Sequence, residues 1–338
     1  MKKISANCAK LALIVASLTA CIAVAAQEIR EHKMKLGYAL KEDHPQGFAA
    51  QKFAELVAQK SGGKMRLQTF ANSALGDDKQ MIGALQGGVQ EFSIQATSPF
   101  VGTVRDYGML DFFFLFSNEK QADAVLDGPV GEKLLAKNLD KGLVGLVFLE
   151  NGFRNITNNK RPIIRVEDIQ GLKLRVMQSP VFLDSIQQLG ANPTPLAFSE
   201  LYTALETGTV DGEENPCPIV ESAKFAEVQK YYSVTNHVYN SFVLTASKKW
   251  WDKLNPSEQK IITDAALETR TYHRKLNREV GAKCIAALQA QKMQVNQVAP
   301  AEMARMRDKV RSVIDKHGKD YDQNLLKEFF AAIDAAAK

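Results

Sequence analysis

The chain is poor in cysteine, with four cysteines in 338 residues. Cys8 and Cys21 lie near the start, whereas Cys217 and Cys284 lie far along the chain. None of them has the spacing of a zinc site or of a CxxC redox motif, which excludes the common cysteine-based metal and redox functions. Two cysteines can pair in an oxidising compartment, but sequence does not establish that they are close. We therefore expect Cys217 and Cys284 to be free buried thiols.

Sequence motifs of the common enzyme classes are also missing. There is no GxGxxG, P-loop, HExxH or GxSxG pattern, and the five histidines are dispersed without ligand-like spacing. His237 is expected to be structural. These absences predict a protein that is not an enzyme, holds no metal and needs no cofactor. Dispersed carboxylates can still meet in a fold, so an enzyme is kept as the alternative from another class.

Strong net charge and long apolar segments are absent beyond the first 26 residues. The formal net charge is +5, of which Lys2, Lys3 and Lys10 contribute three, so +2 remains for the rest. This weak charge argues against a nucleic-acid partner. No later segment is long and apolar enough to cross a bilayer. The short apolar run at 112–116 is expected to be buried core.

The N-terminal residues have the pattern of a secretory signal. A basic start precedes an apolar run from Leu11 to Ala26, which is rich in small residues and short for a membrane span. Cleavage after Ala25 or Ala26 would release a periplasmic protein. The four residues ending in Cys21 also resemble a lipoprotein box, but the residues after Cys21 stay apolar. We therefore predict a cleaved signal peptide at 1-26 rather than a lipid anchor.

The rest of the chain alternates between strand and helix patterns. Strand-like alternation at 34–38, 65–69, 92–94 and 143–149 is separated by stretches of helical spacing, which predicts an α/β fold with a largely parallel sheet. A long uninterrupted helix is predicted from the Asn255-Pro256 cap to about Lys292. No flexible linker is present. We assign residues 27-151 plus 241-280 to domain I and residues 152-240 plus 281-338 to domain II.

The segment from Gly171 to Pro216 is the most informative part of the sequence. It begins with GLKLRV, in which Leu172, Leu174 and Val176 would share one face of a strand. Two helical patterns follow, the second with Ser199 as its expected N-cap. The segment ends on the turn-like DGEENP. It therefore places basic, aromatic and amide side chains where strands and helices meet loops, which is where α/β proteins hold ligands.

This segment resembles the solute receptors of tripartite ATP-independent periplasmic (TRAP) transporters, the DctP family. The matching sequence segments are GLKLRV, LGANPTPLAFSELYTALETGTVDGEENP, VTNHVYN, NSALGDDKQMIGALQGGVQEF and NGFRNITNNKRPI. The resemblance implies a two-domain periplasmic-binding-protein-like fold of the α/β class, with a long helix spanning both domains. It implies a monomeric receptor that closes over one small carboxylate ligand and delivers it to membrane permease subunits.

The resemblance also implies roles for individual residues. Arg175, in GLKLRV, matches the arginine that forms a two-pronged bond to the ligand carboxylate, and guanidinium geometry suits that use. Arg154 matches a second basic contact, Asn215 an amide that helps to fix the carboxylate, Phe198 an aromatic that packs on the ligand, and Asp78 an acidic contact to ligand hydroxyls. Each has a structural alternative: a surface or boundary ion pair for the arginines, a turn for Asn215, core for Phe198 and a helix-dipole partner for Asp78.

Departures from the sialic-acid receptors of the family indicate a different ligand. Ala39 and Ala96 occupy positions where those receptors carry an Asn and a Glu, and Glu213 replaces a Gln. Gln95 and His44, with Thr97 and Ser98, could supply polar contacts from domain I, while Glu213 either points away or binds ligand hydroxyls. We therefore predict a receptor for a sugar acid such as a hexuronate or an aldonate. A C4-dicarboxylate or another carboxylate is the alternative within the class. From another class, the alternative is a secreted enzyme acting on a carboxylated sugar, and a sensor subunit that presents its ligand to a signalling protein is a further one.

Overall fold

The computed structural model of the chain describes residues 28–337. The predicted signal peptide, with Cys8 and Cys21, lies outside the described residues. Within 28–337, none of the helices has both the length and the apolar character that crossing a membrane requires.

A single mixed sheet of nine strands runs through the molecule. Its order is β2-β1-β3-β8-β4-β7-β5-β6, and β9 pairs with the first four residues of β8. The strands are β1 His32–Tyr38, β2 Met65–Phe70, β3 Phe92–Ala96, β4 Leu143–Asn158, β5 Lys173–Val176, β6 Asn192–Pro195, β7 Gly212–Asn215, β8 Tyr231–Ser247 and β9 Gln294–Gln297.

Helices cover both faces of this sheet. They are α1 Pro45–Lys60, α2 Asp78–Gly87, α3 Glu119–Leu126, α4 Pro129–Ala136, α5 Pro180–Gln188, α6 Phe198–Glu206, α7 Cys217–Ser222, α8 Lys248–Trp251, α9 Pro256–Ala290, α10 Pro300–His317 and α11 Gln323–Ala336. Six short 3-10 helices lie in the connections between the described elements. The predicted α/β class is confirmed.

The first sheet half consists of β1, β2 and β3, which pair in parallel. Met34, Leu36 and Tyr38 alternate with polar or small residues in β1 and are buried, because every second side chain of a strand points to the same face. The predicted core run at 112–116 is largely buried as well, through Phe112, Phe113 and Phe116.

Two long antiparallel strands, β4 and β8, join the two halves of the sheet. Each pairs with the other along its length, with β3 on one side and β7 on the other. The register shifts between Glu150 and Gly152, and Gly152 has φ +109, a conformation that glycine adopts without a Cβ clash. The sequence pattern predicted that β4 would end near Leu149, whereas β4 continues through the bulge to Asn158.

The second sheet half consists of β5, β6 and β7, again in parallel. Its connecting helices are α5 and α6, close to where the sequence placed them. The expected N-cap at Ser199 is wrong, because α6 begins at Phe198 with Ala197 as its N-cap. Glu200 supplies the capping contact instead, since its carboxylate accepts a hydrogen bond from the Ala197 N–H at 3.2 Å.

Helix α9 has 35 residues, so it is roughly 52 Å long at 1.5 Å per residue. Asn255 caps its first turn, as predicted, by accepting from the Glu258 N–H at 3.0 Å. The helix packs against α1 and β4 and then against α7 and β9. It therefore runs from the first sheet half to the second, and the predicted spanning helix is confirmed.

Cys217 and Cys284 form a disulfide between the start of α7 and α9. Their Cα atoms are 6.0 Å apart although 67 positions separate them along the chain. The expectation of free thiols is wrong, because the fold brings α7 against α9 and spacing alone could not show this. The disulfide lies in a smaller apolar cluster between α6, α7 and α9.

The C-terminal helices divide between the two sheet halves. Helix α10 packs against α5, whereas α11 packs against α3 and α4. Arg274 and Arg278 of α9 pair with Asp123 of α3, and Arg278 also pairs with the buried Glu150 of β4. These contacts hold α9 against α3 and against β4, next to the bulge between Glu150 and Gly152. The division into domains I and II remains a prediction.

Candidate ligand-binding site

A cavity lies where the two sheet halves face each other. The carboxyl ends of β1, β3, β5 and β7 meet there, as expected for a ligand site in an α/β protein. Five of the eight residues that the sequence proposed lie on its wall: Asp78, Arg154, Arg175, Phe198 and Asn215. Ala39 and Ala96 also lie on the wall.

Arg175 is the cation of this cavity that lacks a carboxylate partner. It lies on β5 and is 3% exposed, and its Nε and Nη2 atoms donate to the Leu196 carbonyl oxygen at 3.0 and 2.8 Å. Among residues 28–337 no hydrogen bond uses its Nη1, and no acidic side chain pairs with it. Burial lowers its pKa to about 10, with Arg154 adding to this and the more distant Glu214, Glu213 and Asp78 opposing it. A buried guanidinium of this kind is stabilised by an anion.

Arg154 is already paired by the protein. Its Nε and Nη2 atoms lie 2.5 and 2.8 Å from the two carboxylate oxygens of Glu214, and it is 1% exposed. His237 lies 3.3 Å from the same carboxylate. Burial alone would raise the pKa of Glu214, but Arg154 and His237 together hold it below its ordinary value. The ion-pair alternative for Arg154 is therefore realised, although the residue remains on the cavity wall.

Asn215 is held in place by Glu213 from the same strand. The Asn215 amide donates to the Glu213 carboxylate, which also accepts from Thr157 Oγ1 at 3.2 Å. Glu213 is fully buried and is not part of the cavity wall. Burial, helped by Glu214, raises its pKa to about 7. Glu213 orients Asn215 from behind, and its direct contact with the ligand stays a prediction.

Asp78 opens helix α2 and faces the cavity from the first sheet half. Its Oδ1 atom is buried and has no hydrogen-bond partner within residues 28–337. Burial raises its pKa to about 7, with Asp77 adding to the rise and Arg175 opposing it. Gln95 donates from its side chain to the Asp78 carbonyl oxygen and accepts from Ser93 Oγ at 2.7 Å. Gln95 therefore supports the start of α2 and does not line the cavity, and its contact with the ligand stays a prediction.

His44 is the third proposed residue that does not line the cavity. It caps α1, and its Nδ1 accepts from the Gln46 N–H at 2.9 Å. Burial, and then the neighbouring His273, lower its pKa to about 3, so the ring is neutral at ordinary pH. His44 therefore has a capping role, and its contact with the ligand stays a prediction. Gln46 from the same turn lines the cavity in its place.

Phe198 is the first residue of α6 and the aromatic side chain of the cavity that the sequence identified. Its ring centroid lies 6.2 Å from that of Phe225. Further wall residues escaped sequence reasoning, among them Gln46, Asn151, Gln178 and Phe242. Gln178 lies just beyond the carboxyl end of β5. Because ligands bind at the carboxyl ends of strands, this position could have been predicted from the sequence. Asn151 and Phe242 lie within the long strands β4 and β8, where sequence offers no comparable signal.

The geometry describes an anion site with polar surroundings. One buried guanidinium faces the cavity without a carboxylate partner, while amide and carboxyl groups surround it. Within 28–337, no three His, Cys, Asp or Glu side chains lie close enough together to hold a metal ion. This arrangement can bind a carboxylate and hydrogen-bond the hydroxyl groups attached to it.

Comparison with known proteins identifies the family. The model of "bacterial extracellular solute-binding protein, family 7" matches residues 36–320. The 2,3-diketo-L-gulonate-binding periplasmic protein YiaO of Escherichia coli is 36% identical over 274 residues, covering 81% of this chain and 83% of that protein. The C4-dicarboxylate-binding protein DctB of Bacillus subtilis is 35% identical over 249 residues, covering 72% and 71%.

A solved structure agrees with these sequence matches. The sugar acid binding protein DctPAm from Advenella mimigardefordensis, in complex with galactonate, is similar with a TM-score of 0.89 and 42% identity. The similarity covers 91% of this chain and 99% of that one. The chain therefore belongs to the bacterial extracellular solute-binding proteins of family 7, the solute receptors of TRAP transporters.

Proposed function

We propose that this receptor binds a sugar acid, an aldonate or a hexuronate, with Arg175 holding the carboxylate. The observation that carries this proposal is the buried Arg175 guanidinium, which has one unpaired nitrogen and no carboxylate partner in the part of the chain that the structure describes. A ligand carboxylate would supply the missing charge and accept two parallel hydrogen bonds.

Polar groups around Arg175 favour a hydroxylated ligand. Asp78, Asn151, Gln178 and Asn215 all lie on the wall, and each can donate to or accept from a hydroxyl group. Ala39 and Ala96 offer no side-chain hydrogen bonds, which disfavours sialic acid because some of its polar groups would be left without partners.

The pairing of Arg154 argues against a plain C4-dicarboxylate. A second carboxylate needs a second cation, and Glu214 already neutralises Arg154. The relatives provide examples of both classes, since one is named for 2,3-diketo-L-gulonate and another for C4-dicarboxylates. The similar structure with galactonate supports the sugar acid. A C4-dicarboxylate or another carboxylate remains the second candidate.

A competition titration across organic acids tests the proposed ligand class. We expect galactonate, gluconate or a hexuronate to bind more tightly than succinate, malate or sialic acid. Each buried polar group of the receptor left without a partner costs about 1–3 kcal/mol, so the difference should be about tenfold or more. Tighter binding of succinate or sialic acid than of every sugar acid tried would reject the ligand class, while the family assignment would stand.

Members of this family are extracytoplasmic receptors that work with membrane permease components and are not enzymes. The alternative of a secreted enzyme is therefore set aside. For this chain we further propose a periplasmic, monomeric receptor released by cleavage of the signal peptide at 1-26. Mass spectrometry of the exported protein tests the cleavage, and light scattering tests the monomer. An N-terminal lipid on Cys21 or a stable dimer would contradict these two points.

A further inference from the structure

A second concave surface adjoins the carboxylate cavity. Like the cavity, it lies between the two sheet halves, and it is open to solvent. Ala39, Leu40 and Phe198 line both spaces. Ala39 contributes only a methyl group to this shared boundary, so the partition between the two spaces is thin. Nothing in the proposed function uses the outer space.

The chain adopts unfavourable backbone conformations around this outer space. In residues 28–337, six residues other than glycine have positive φ, and three of them, Asn72, Ser73 and Lys224, line it. Left-handed backbone is uncommon for serine and lysine and persists only where surrounding contacts enforce it. The Asn72 and Ser73 N–H groups are held by the carbonyl oxygens of Leu40 and Tyr38, at 3.0 and 3.1 Å. Strain of this kind concentrates at binding sites.

Three aromatic rings form one wall of the outer space. The centroids of Phe198 and Tyr202 lie 6.2 and 6.4 Å from that of Phe225, and Phe225 is 1% exposed, so the wall is anchored in the core. The Tyr202 hydroxyl donates to Glu227 at 2.8 Å, which orients the ring. Asn72 and Ser73, from the first sheet half, line the same space. The described part of the chain provides no hydrogen-bond partner for their side chains.

An aromatic wall facing free amide and hydroxyl groups suits a pyranose ring. Such a ring presents C–H groups on its faces and hydroxyls at its edge, so its faces pack on aromatics while its edge forms hydrogen bonds. We propose that the outer space is a subsite for a second sugar, so that the receptor accepts acid-terminated disaccharides with the acid end in the Arg175 cavity. This inference rests on the proposed sugar-acid function and extends it.

Calorimetric titration of the full receptor with matched ligands tests the subsite. The ligands are gluconate, lactobionate and melibionate, the last two being gluconate that carries galactose at two different hydroxyls, together with neutral lactose. We expect at least one disaccharide acid to bind as tightly as gluconate or more tightly. Lactose should not bind, because it has no carboxylate for Arg175.

Two variants separate the subsite from the cavity. Tyr202→Ala should weaken binding of the disaccharide acid roughly three- to tenfold and leave gluconate unchanged. Asn72→Gly keeps the left-handed backbone while removing the amide, and it should also weaken only the disaccharide acid. Tyr272→Ala is the matched control, since Tyr272 lies on α9, is 39% exposed and does not line either space.

The outcomes distinguish the subsite from the proposed function. Binding of gluconate with rejection of both disaccharide acids would overturn the subsite alone. Equal weakening of gluconate and lactobionate by Tyr202→Ala would do the same. If succinate binds and no sugar acid does, the subsite and the proposed ligand class both fail.

Discussion

At the scale of single residues, Arg175 has the clearest expected effect. Arg175→Ala should lower affinity for the bound acid at least thirtyfold, because losing one partner of a buried charge pair costs about 2–5 kcal/mol. Arg175→Lys should recover little, since an ammonium cannot form the two-pronged contact. Calorimetry with the identified ligand measures both effects.

Lys173→Ala provides the matched control for Arg175. Lys173 lies on the same strand but is exposed to solvent and is not part of the cavity wall. Its replacement should leave both affinity and folding unchanged. Near-normal binding by a folded Arg175→Ala variant would remove Arg175 from the site.

Asp78 makes stability depend on pH in a predictable direction. Burial raises its pKa from 3.8 to about 7, so between these values the folded state binds more protons than the unfolded state. The contribution of Asp78 to the free energy of unfolding therefore falls as pH rises from about 4 to about 7. In the ligand-free receptor, Asp78→Asn should be more stable than the wild type at pH 8, by about 1–3 kcal/mol, and should lose this advantage towards pH 4.

Paired thermal melts of the two proteins across this pH range measure the effect. The comparison cancels the titration of the other buried groups with shifted pKa, namely His44, Asp111, Glu213 and His273. Asp77→Asn is a second test: the new amide oxygen can still cap α2, while loss of the Asp77 charge should weaken the pH dependence that Asp78 contributes without abolishing it. A stability difference between Asp78→Asn and wild type that does not change with pH would contradict the assigned burial of Asp78.

At the scale of secondary-structure elements, the disulfide between α7 and α9 should stabilise the fold substantially. It closes a loop of 67 positions, which restricts the unfolded chain, and bonds of this kind typically contribute about 2–4 kcal/mol. The Cys217→Ala/Cys284→Ala double variant should lose a similar amount in denaturant unfolding. Reduction of the wild type should produce the same loss. Equal stability with and without reductant would show that the thiols are unpaired in solution.

The same disulfide links the ligand site to the spanning helix. Asn215 lies two positions before Cys217, and Cys284 lies on α9. Helix α9 is also fastened to the first sheet half through Arg274 and Arg278. The disulfide thereby ties the segment after β7 to α9, while the pairing of β5 with β7 places Arg175 opposite Glu213.

At the scale of the whole molecule, ligand should favour a compact form. The cavity wall is shared between the two sheet halves, with Asp78 on one side and Arg175, Phe198 and Asn215 on the other. A ligand that contacts both sides stabilises the closed arrangement in proportion to its preference for that state. Small-angle scattering should therefore give a smaller radius of gyration with saturating ligand than without it. Identical profiles would indicate a receptor that is closed before it binds.

The sequence by itself determined most of the local structure and the family. Strand alternation, helical spacing and the Asn255 cap placed β1, β3, α1 and α9, because these signals come from contacts between residues close along the chain. The GLKLRV motif placed Arg175 on a strand, whereas DGEENP, interpreted as a turn, contains strand β7 with Asn215 at its end. The departures at Ala39 and Ala96 were likewise readable from sequence, and both positions line the cavity.

Only the tertiary structure decided which of these groups face the ligand cavity. Glu214 neutralises Arg154 from 60 positions away, and Cys217 pairs with Cys284 across 67. Gln95, Glu213 and His44 had the right chemistry for ligand contact but lie behind the wall, where they hold Asp78, Asn215 and the start of α1. Spacing along a chain cannot reveal such contacts, because they depend on how distant strands and helices pack together.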